Sequence, residues 1–463
     1  MNVLVICTDS LRADHLGCYG NPWIRTPNLD RLAAEGALFD HCYSENLPTM
    51  PTRTAWWTGR YQFPWRGWQQ FEHSDYLLAE VLWDRGYTSA LITDTYHMHK
   101  PAYNCGRGFD TVRWIRGQEY DPWIIDPAVR VEVGPWHRLK GDESDGVWRP
   151  RFEQYLRNRS VWERDEEKTP AASVAKAAVA WLEEQVRVHG TRDRLLLWVD
   201  FFDPHEPWDP PEPYRSMYDP NYRGHVNIDP IPGPVTGYLS EAELRHTKAL
   251  YAGEVTMVDR WAGVVLDAAR ALGLWDDTLV MHVSDHGEPF GEHGIIRKAR
   301  PWNYEELVHV PWIIRHPEGI GAGRRIPALV QTVDLMPTVL DALGISGPLT
   351  LPFRAPTRSM FPQDLEVDRR RADLTGKSLM PLLRGQAERV RDGAVTAHHR
   401  RQWSLRTADW SYLLPIDGSG GPELYDRRRD PGEHDNLAAR ERERAEAMEL
   451  ELRRFVDELE RRR

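Results

Sequence analysis

Roughly the first 345 residues alternate short apolar runs of strand length with stretches of helical periodicity, which restricts the chain to an α/β class, a mostly parallel sheet with helices on both faces. Residues 3–7 form the first such run, and 89–93, 195–202 and 278–284 read as further strands. Between them, Thr26 and Pro27 supply an N-cap and a first helical position, Leu29, Leu32 and Ala33 an apolar face, and Gly36 a stop. A second helix is predicted from Thr49 to near Gly59, and a long one over 240–272. Three of the strands run out into groups able to do chemistry: Asp9, His205 and Asp285. In doubly wound sheets ligands bind beyond the carboxyl ends of the strands, so the pattern that dictates the fold also indicates where a site belongs.

The alternation places a catalytic α/β unit over 1–350. Residues 115–170, rich in Trp, Pro and charge and weak in periodicity, read as an insertion that walls the pocket. Residues 351–371 read as an exposed connector, with three prolines and the run Asp368-Arg369-Arg370-Arg371. A smaller α+β subdomain over 372–463 follows. Its signals are strand patterns at 393–398 and 403–415 and a last helix with Met448, Leu452, Phe455, Val456 and Leu459 on one face.

Composition narrows the function classes. A net charge of −11 provides no electrostatic footprint for nucleic acid, so an anionic small-molecule substrate must be held by local cations. No apolar run reaches the ~18 residues of a membrane span, and the N-terminus lacks the basic leader and cleavage site of a signal peptide. Cys7, Cys18, Cys42 and Cys105 form neither a metal spacing nor a disulfide framework. A cytoplasmic location is the expectation, and a homo-oligomer is compatible with the sequence.

Within this frame the segment Pro48-Thr49-Met50-Pro51-Thr52-Arg53 stands out. A hydroxyl side chain two residues before a proline and four before an arginine has the layout of a nucleophile at a helix start, where Pro51 pre-sets φ and free N–H groups attract an anion. A capped surface helix would read the same way in isolation. Asp285-His286 at a strand end can supply an oxygen and a nitrogen ligand to one divalent cation. Asp9 alone could be only a helix cap.

Together these motifs give a resemblance. Thr8-Asp9-Ser10-Leu11-Arg12, the Thr49 segment, Ser284-Asp285-His286-Gly287-Glu288 through Gly291-Glu292-His293-Gly294 to Lys298, and Val333-Asp334-Leu335-Met336-Pro337-Thr338 run in the order of the sulfatase family of the alkaline phosphatase superfamily. Gly376-Lys377-Ser378-Leu379 and Glu423-Leu424-Tyr425-Asp426 continue that order. The resemblance implies an alkaline-phosphatase-like fold and one divalent metal, Mn, Ca or Zn, held by Asp9, Asp285, His286 and the Thr49 hydroxyl. Ser10, where the family has a second acid, is a weaker ligand. It implies Arg53 and Lys298 as grips on the anionic group and His205 as the group facing the scissile or leaving oxygen. His97 is kept at a family site near the substrate whose lysine is here Thr95; Tyr96 lies between them, and Lys100 is the cation that could reach the pocket instead.

The family oxidises a Cys or Ser to formylglycine where this chain has Thr49, and threonine has no route to that aldehyde. The expectation is therefore a metal-dependent hydrolase of phosphate diesters or of phosphonate or phosphate monoesters, working through a threonine ester without formylglycine, similar to the phosphonate monoester hydrolase and phosphodiesterase branch. The alternatives are a sulfatase proper with an unmodified nucleophile, a mutase or transferase of the same superfamily, and a catalytically silent metal- and anion-binding homologue.

Overall fold

The computed structural model describes residues 1–163, 165–298, 303–345, 349–350 and 371–462. The connector expected at 351–371 lies, apart from Arg371, outside the described residues.

The strands of the two larger sheets in chain order are β1 (Asn2–Thr8), β2 (Ala37–Tyr43), β3 (Asn46–Leu47), β4 (Thr88–Thr93), β5 (Thr111–Trp114), β6 (Leu195–Phe201), β7 (Thr278–Ser284), β8 (Trp312–Arg315), β9 (Arg324–Gln331), β10 (Ala394–His398), β11 (Gln402–Arg406), β12 (Trp410–Pro415) and β13 (Glu423–Asp426). Eight of them make the main sheet in the order β9-β2-β8-β7-β1-β6-β4-β5. All its pairings are parallel except those of β8, antiparallel to both β7 and β2. The chain between β7 and β8 stays at the carboxyl edge of β7 and re-enters the sheet from that edge, so β8 must run the other way.

Alternation along the central strands sends side chains to two separate cores. Leu4 and Ile6 of β1 and Leu197 and Val199 of β6 pack on one face, against the long helix α3 (Glu241–Ala271) and its neighbours. Val3, Val5 and Cys7 of β1 and Leu196 and Trp198 of β6 pack on the other, against Trp56 and Trp57 of helix α2 (Thr49–Thr58), which follows α1 (Pro27–Glu35). Asp200, two residues beyond Trp198, therefore points to the α2 face. The registers Thr8↔Phe201 and Thr8↔Ser284 bring the ends of β1, β6 and β7 level, which sets Asp9, the Phe202–Glu206 loop and Asp285 along one edge.

A second sheet, β13-β12-β11-β10-β3, is antiparallel along its C-terminal strands. The stretch read as one strand pattern at 403–415 is two strands, because a turn at Thr407–Trp410, closed by Thr407 N donating to Trp410 O at 2.9 Å, breaks it. This sheet takes in β3 from the other end of the chain through the parallel pairs Ala397↔Asn46 and His398↔Leu47, and β3 leads directly into α2. The terminal helix α4 (Arg442–Arg461) lays Met448, Leu452, Val456 and Leu459 onto the same sheet, in a cluster with Val395, Leu405, Tyr412 and Leu424. Leu452 is fully buried in that cluster. We predict that Leu452→Ala lowers unfolding free energy in a urea titration by about 2–5 kcal/mol, the range for a large buried aliphatic cut to a methyl; a loss below about 1 kcal/mol would contradict this packing.

Candidate active site

Helix α2 carries Thr49 as its first residue, with the Pro48 carbonyl accepting from Thr52 N at 3.2 Å. The helix is buried along its whole length, and Thr54 and Thr58 return their hydroxyls to the carbonyls four residues earlier. Thr49 Oγ1 stands 3.4 Å from His286 Nε2. The other ring nitrogen, Nδ1, donates to Gly287 O at 2.9 Å, which leaves Nε2 with its lone pair turned to the hydroxyl.

Asp9, Asp285 and His286 each place one ligand atom within 4.8 Å of the others, and all three are buried. Asp285 Oδ1 accepts from the backbone N–H of Ser10 at 3.0 Å and of His286 at 2.8 Å. Burial pushes the Asp285 carboxyl up, but His286 and then Arg53 outweigh it and hold it below the usual carboxylate range. Asp9 goes the other way: burial, then the neighbouring Asp285 charge, push it well up, and its Oδ2 accepts no hydrogen bond. A carboxylate oxygen that takes no hydrogen bond and meets the Arg53 guanidinium at 3.2 Å, beside a second carboxylate and an imidazole lone pair, gives a donor set suited to a divalent cation, so the residues present fit the ion. Ser10, at φ 61°, donates its hydroxyl to Asp9 Oδ1 at 3.0 Å and accepts from Lys298 Nζ at 3.2 Å.

Arg53 lies under this centre. Its guanidinium has no exposed surface and reaches Asp285 Oδ2 at 2.6 Å, Asp9 Oδ2 at 3.2 Å and both oxygens of Asp200 at 2.6 and 3.0 Å. Arg53, expected to grip the ester, meets three carboxylates below the surface. Thr95 Oγ1 joins the same network, donating to Asp200 Oδ1 at 2.7 Å while fully buried. Lys100 Nζ lies over the Tyr96 and Tyr103 rings, at 5.3 and 5.8 Å, and does not take the place of the missing lysine.

The opposite wall holds His97, His205 and Lys298. Lys298 Nζ contacts Glu206 Oε2 at 2.9 Å and Glu288 Oε2 at 3.2 Å. Burial lowers its affinity for a proton, but Glu206 and Glu288 more than restore it. Burial pushes Glu288 up to about 8. His97 Nε2 lies 3.1 Å from Glu119 Oε2. His205 Nδ1 donates to Glu206 O at 2.7 Å, and burial pushes the ring down to about 3. The ring is thus a neutral imidazole with its Nδ1 proton committed to the backbone.

Sequence reasoning missed Asp200, Glu119, Glu206, Glu288 and Arg297. A lone acid inside the apolar run Leu195-Leu196-Leu197-Trp198-Val199-Asp200-Phe201 was the available signal for Asp200. Glu119 sits in the segment read as an insertion and carried no signal; there Glu119, Tyr120, Trp148, Arg151 and Tyr155 line a cleft with Glu206, Pro207, Asp229 and Arg297.

The sulfatase family profile matches residues 1–345. The chain belongs to the sulfatase family. As a member it is an ester hydrolase, with the alkaline-phosphatase-like fold. The chain is 24% identical over 524 residues to an N-acetylglucosamine-6-O-sulfatase of Bacteroides thetaiotaomicron, covering 98% of this chain and 87% of that protein. It is 24% identical over 502 residues to arylsulfatase K of Rattus norvegicus, covering 98% and 78%. Among solved structures it is similar to a phosphonate monoester hydrolase of Agrobacterium radiobacter, with a TM-score of 0.73, 22% identity and coverage of 100% and 95%. Sulfatase-family proteins bind a divalent metal, in keeping with the donor set around Asp9. Among the described residues no helix is long and apolar enough to cross a membrane.

Two predictions test this family site. Arg53→Met strands three buried carboxylates, and we expect a loss of about 3–5 kcal/mol in denaturant unfolding of the chelator-treated protein; a loss within about 1 kcal/mol would show that the carboxylates do not depend on it. The second concerns acid. Burial holds His205 and His282 at about 3 and His286 at about 4, against about 6.5 in the unfolded chain. As pH falls below about 6.5 the unfolded state takes up these protons first, so stability drops between pH about 6.5 and about 4. At pH 5 the expected loss is about 1–2 kcal/mol per histidine, read from unfolding curves in chelator at pH 7 and pH 5. A His282→Gln variant should show a shallower slope.

Proposed function

We propose that this sulfatase-family hydrolase cleaves phosphate diesters or phosphonate or phosphate monoesters of small molecules by direct attack of Thr49. The carrying observation is the threonine itself: an unmodifiable hydroxyl, at the first turn of a buried helix and 3.4 Å from the lone pair of His286, stands where the family places its formylglycine. A divalent ion at Asp9, Asp285 and His286, with Mn, Ca or Zn as candidates, would lower the hydroxyl pKa and draw charge from the central atom. Asp9 and Asp285 hold the negative side of that centre, and Arg53 keeps both carboxylates in place. The N-terminus of α2 and Lys298 face the ester's free oxygens. Attack by Thr49 Oγ1 forms an oxygen–phosphorus bond as the bond from phosphorus to the alcohol oxygen breaks, the hydroxyl proton being lost to water and the departing alkoxide taking one from water, and a second water then opens the threonine ester at phosphorus, restoring the hydroxyl.

The preference for phosphorus over sulfur follows from the same residue. A formylglycine hydrate carries a second hydroxyl through which sulfate is expelled by elimination; a threonine ester lacks that route and must be opened at the central atom. The reading of a sulfuric ester hydrolase with an unmodified nucleophile draws on the relatives named as sulfatases. Three buried free thiols, Cys7, Cys42 and Cys105, suit a reducing compartment.

The test is a matched panel of p-nitrophenyl substrates, a phosphate diester, a phosphonate monoester, a phosphate monoester and a sulfate, with Mn2+, Ca2+ and Zn2+, for wild type and Thr49→Ala. We expect one of the phosphorus esters to lead and Thr49→Ala to lose about 10³-fold or more in kcat. Dominant sulfate turnover would overturn the phosphorus preference, and full turnover by Thr49→Ala the nucleophile.

A further inference from the structure

A second group of donors stands beside the Asp9 centre, and two of its three members, Glu119 and Glu206, have no role in the family reading. Glu119, His205 and Glu206, all buried, each offer a ligand atom within 4.8 Å of the others. The Glu119 side chain is 9% exposed, yet its Oε2 accepts no hydrogen bond, although His97 Nε2 lies 3.1 Å away. His205 spends its Nδ1 proton on the Glu206 carbonyl at 2.7 Å. A backbone carbonyl that fixes one ring nitrogen and frees the other is the usual support of a metal-ligating histidine. Glu119 is held with φ 45°, a backbone region that side chains rarely adopt.

We propose that Glu119, His205 and Glu206 bind a second divalent cation, of the class that accepts mixed nitrogen and oxygen donors, such as Zn2+ or Mn2+. The inference deepens the reading of the Asp9 centre as the metal site of an ester hydrolase and rests on it.

The charges around the cleft supply the independent argument. Arg53 pairs with Asp9, Asp200 and Asp285, Lys298 with Glu206 and Glu288, and Arg297 with Glu206 and Asp229. With Glu119, these carboxyl groups outnumber the fixed cations, Arg151 of the cleft wall included, and an anionic ester entering beside them gains from added positive charge. Lys298 Nζ joins the two centres, 3.2 Å from Ser10 Oγ and 2.9 Å from Glu206 Oε2. When Glu206 ligates the ion, the ammonium keeps Ser10 and its contact with Glu288. A leaving oxygen needs a proton or a cation, and an ion at Glu119, His205 and Glu206 would supply a cation beside the cleft walled by Tyr120, Trp148 and Arg151.

The test counts metal. Full-length protein stripped with chelator is titrated with Mn2+, and bound metal is measured by calorimetry and elemental analysis, with spin coupling between neighbouring Mn2+ ions read by electron paramagnetic resonance. We expect about two equivalents per chain in wild type and about one in Glu119→Gln and in Asp285→Asn, with the coupled signal lost in both. His205→Ala is the second probe of the new site should Glu119→Gln fail to give a cooperative melt. About one equivalent in wild type, abolished by Asp285→Asn, would overturn the second site and leave the first standing. Two equivalents retained in both Glu119→Gln and His205→Ala would place the second ion elsewhere and overturn the assignment equally. No binding in wild type would remove both centres together.

Discussion

One buried guanidinium organises this molecule. Arg53 lies at the bottom of the cleft with no exposed surface and meets Asp9, Asp200 and Asp285, which come from the ends of three parallel strands. Separated from it, those carboxylates would repel one another in a medium that screens charge weakly. Held by it, they can be brought close enough to share a cation. The same side chain donates to the Thr49 carbonyl at 3.3 Å, so the helix that presents the hydroxyl and the strands that present the ligands are fastened at one point. A buried ion pair contributes little to stability compared with apolar packing, and its use here is to fix geometry.

Much of this was legible in the chain before any coordinates. The apolar runs at 3–7, 89–93, 195–202 and 278–284 are long enough and bounded clearly enough to be strands, and they mark four neighbours of the main sheet. The order of the motifs gave the family, and Thr49 gave the departure from it. The strands on the β9 side of the sheet were not legible: β2 mixes Asp40 and His41 into its apolar pattern, and β8 is only four residues long. Nor was direction. Spacing placed Arg53 one turn beyond Thr49 but could not say that its head turns inward, because that depends on Asp200, an acid contributed by a strand more than a hundred residues away. Thr95 looked like a residue of the pocket for the same reason, and proves to be another hydrogen bond to Asp200.

Backbone strain follows the same map. Among the described residues, Ser10, Glu119 and Arg297 are three of the non-glycine positions with positive φ, at 61°, 45° and 62°; Ser10 sits at the Asp9 centre, and Glu119 and Arg297 line the cleft. Each costs of order 1–3 kcal/mol relative to relaxed backbone. Each is held by contacts at its own side chain: Ser10 by Asp9 and Lys298, Glu119 by His97, Arg297 by Glu206 and Asp229. The strain is confined to the loops, where no ladder of hydrogen bonds fixes the chain, and the sheet beneath supplies the rigidity.

The pairing of β3 with β10 sets a schedule on the birth of the protein. Residues 46–47, which aim the helix start at Thr49, find their sheet partner only at residues 397–398. A ribosome adding residues from the N-terminus finishes the main sheet long before that partner emerges. Until then the segment leading to Thr49 lacks its sheet partner, although Asp9, Asp200 and Asp285 are all in place. The growing chain thus completes the strand ends that carry Asp9, Asp200 and Asp285 before the sheet partner of the segment leading to Thr49, and a truncated product ending before the second sheet would hold those acids without that pairing.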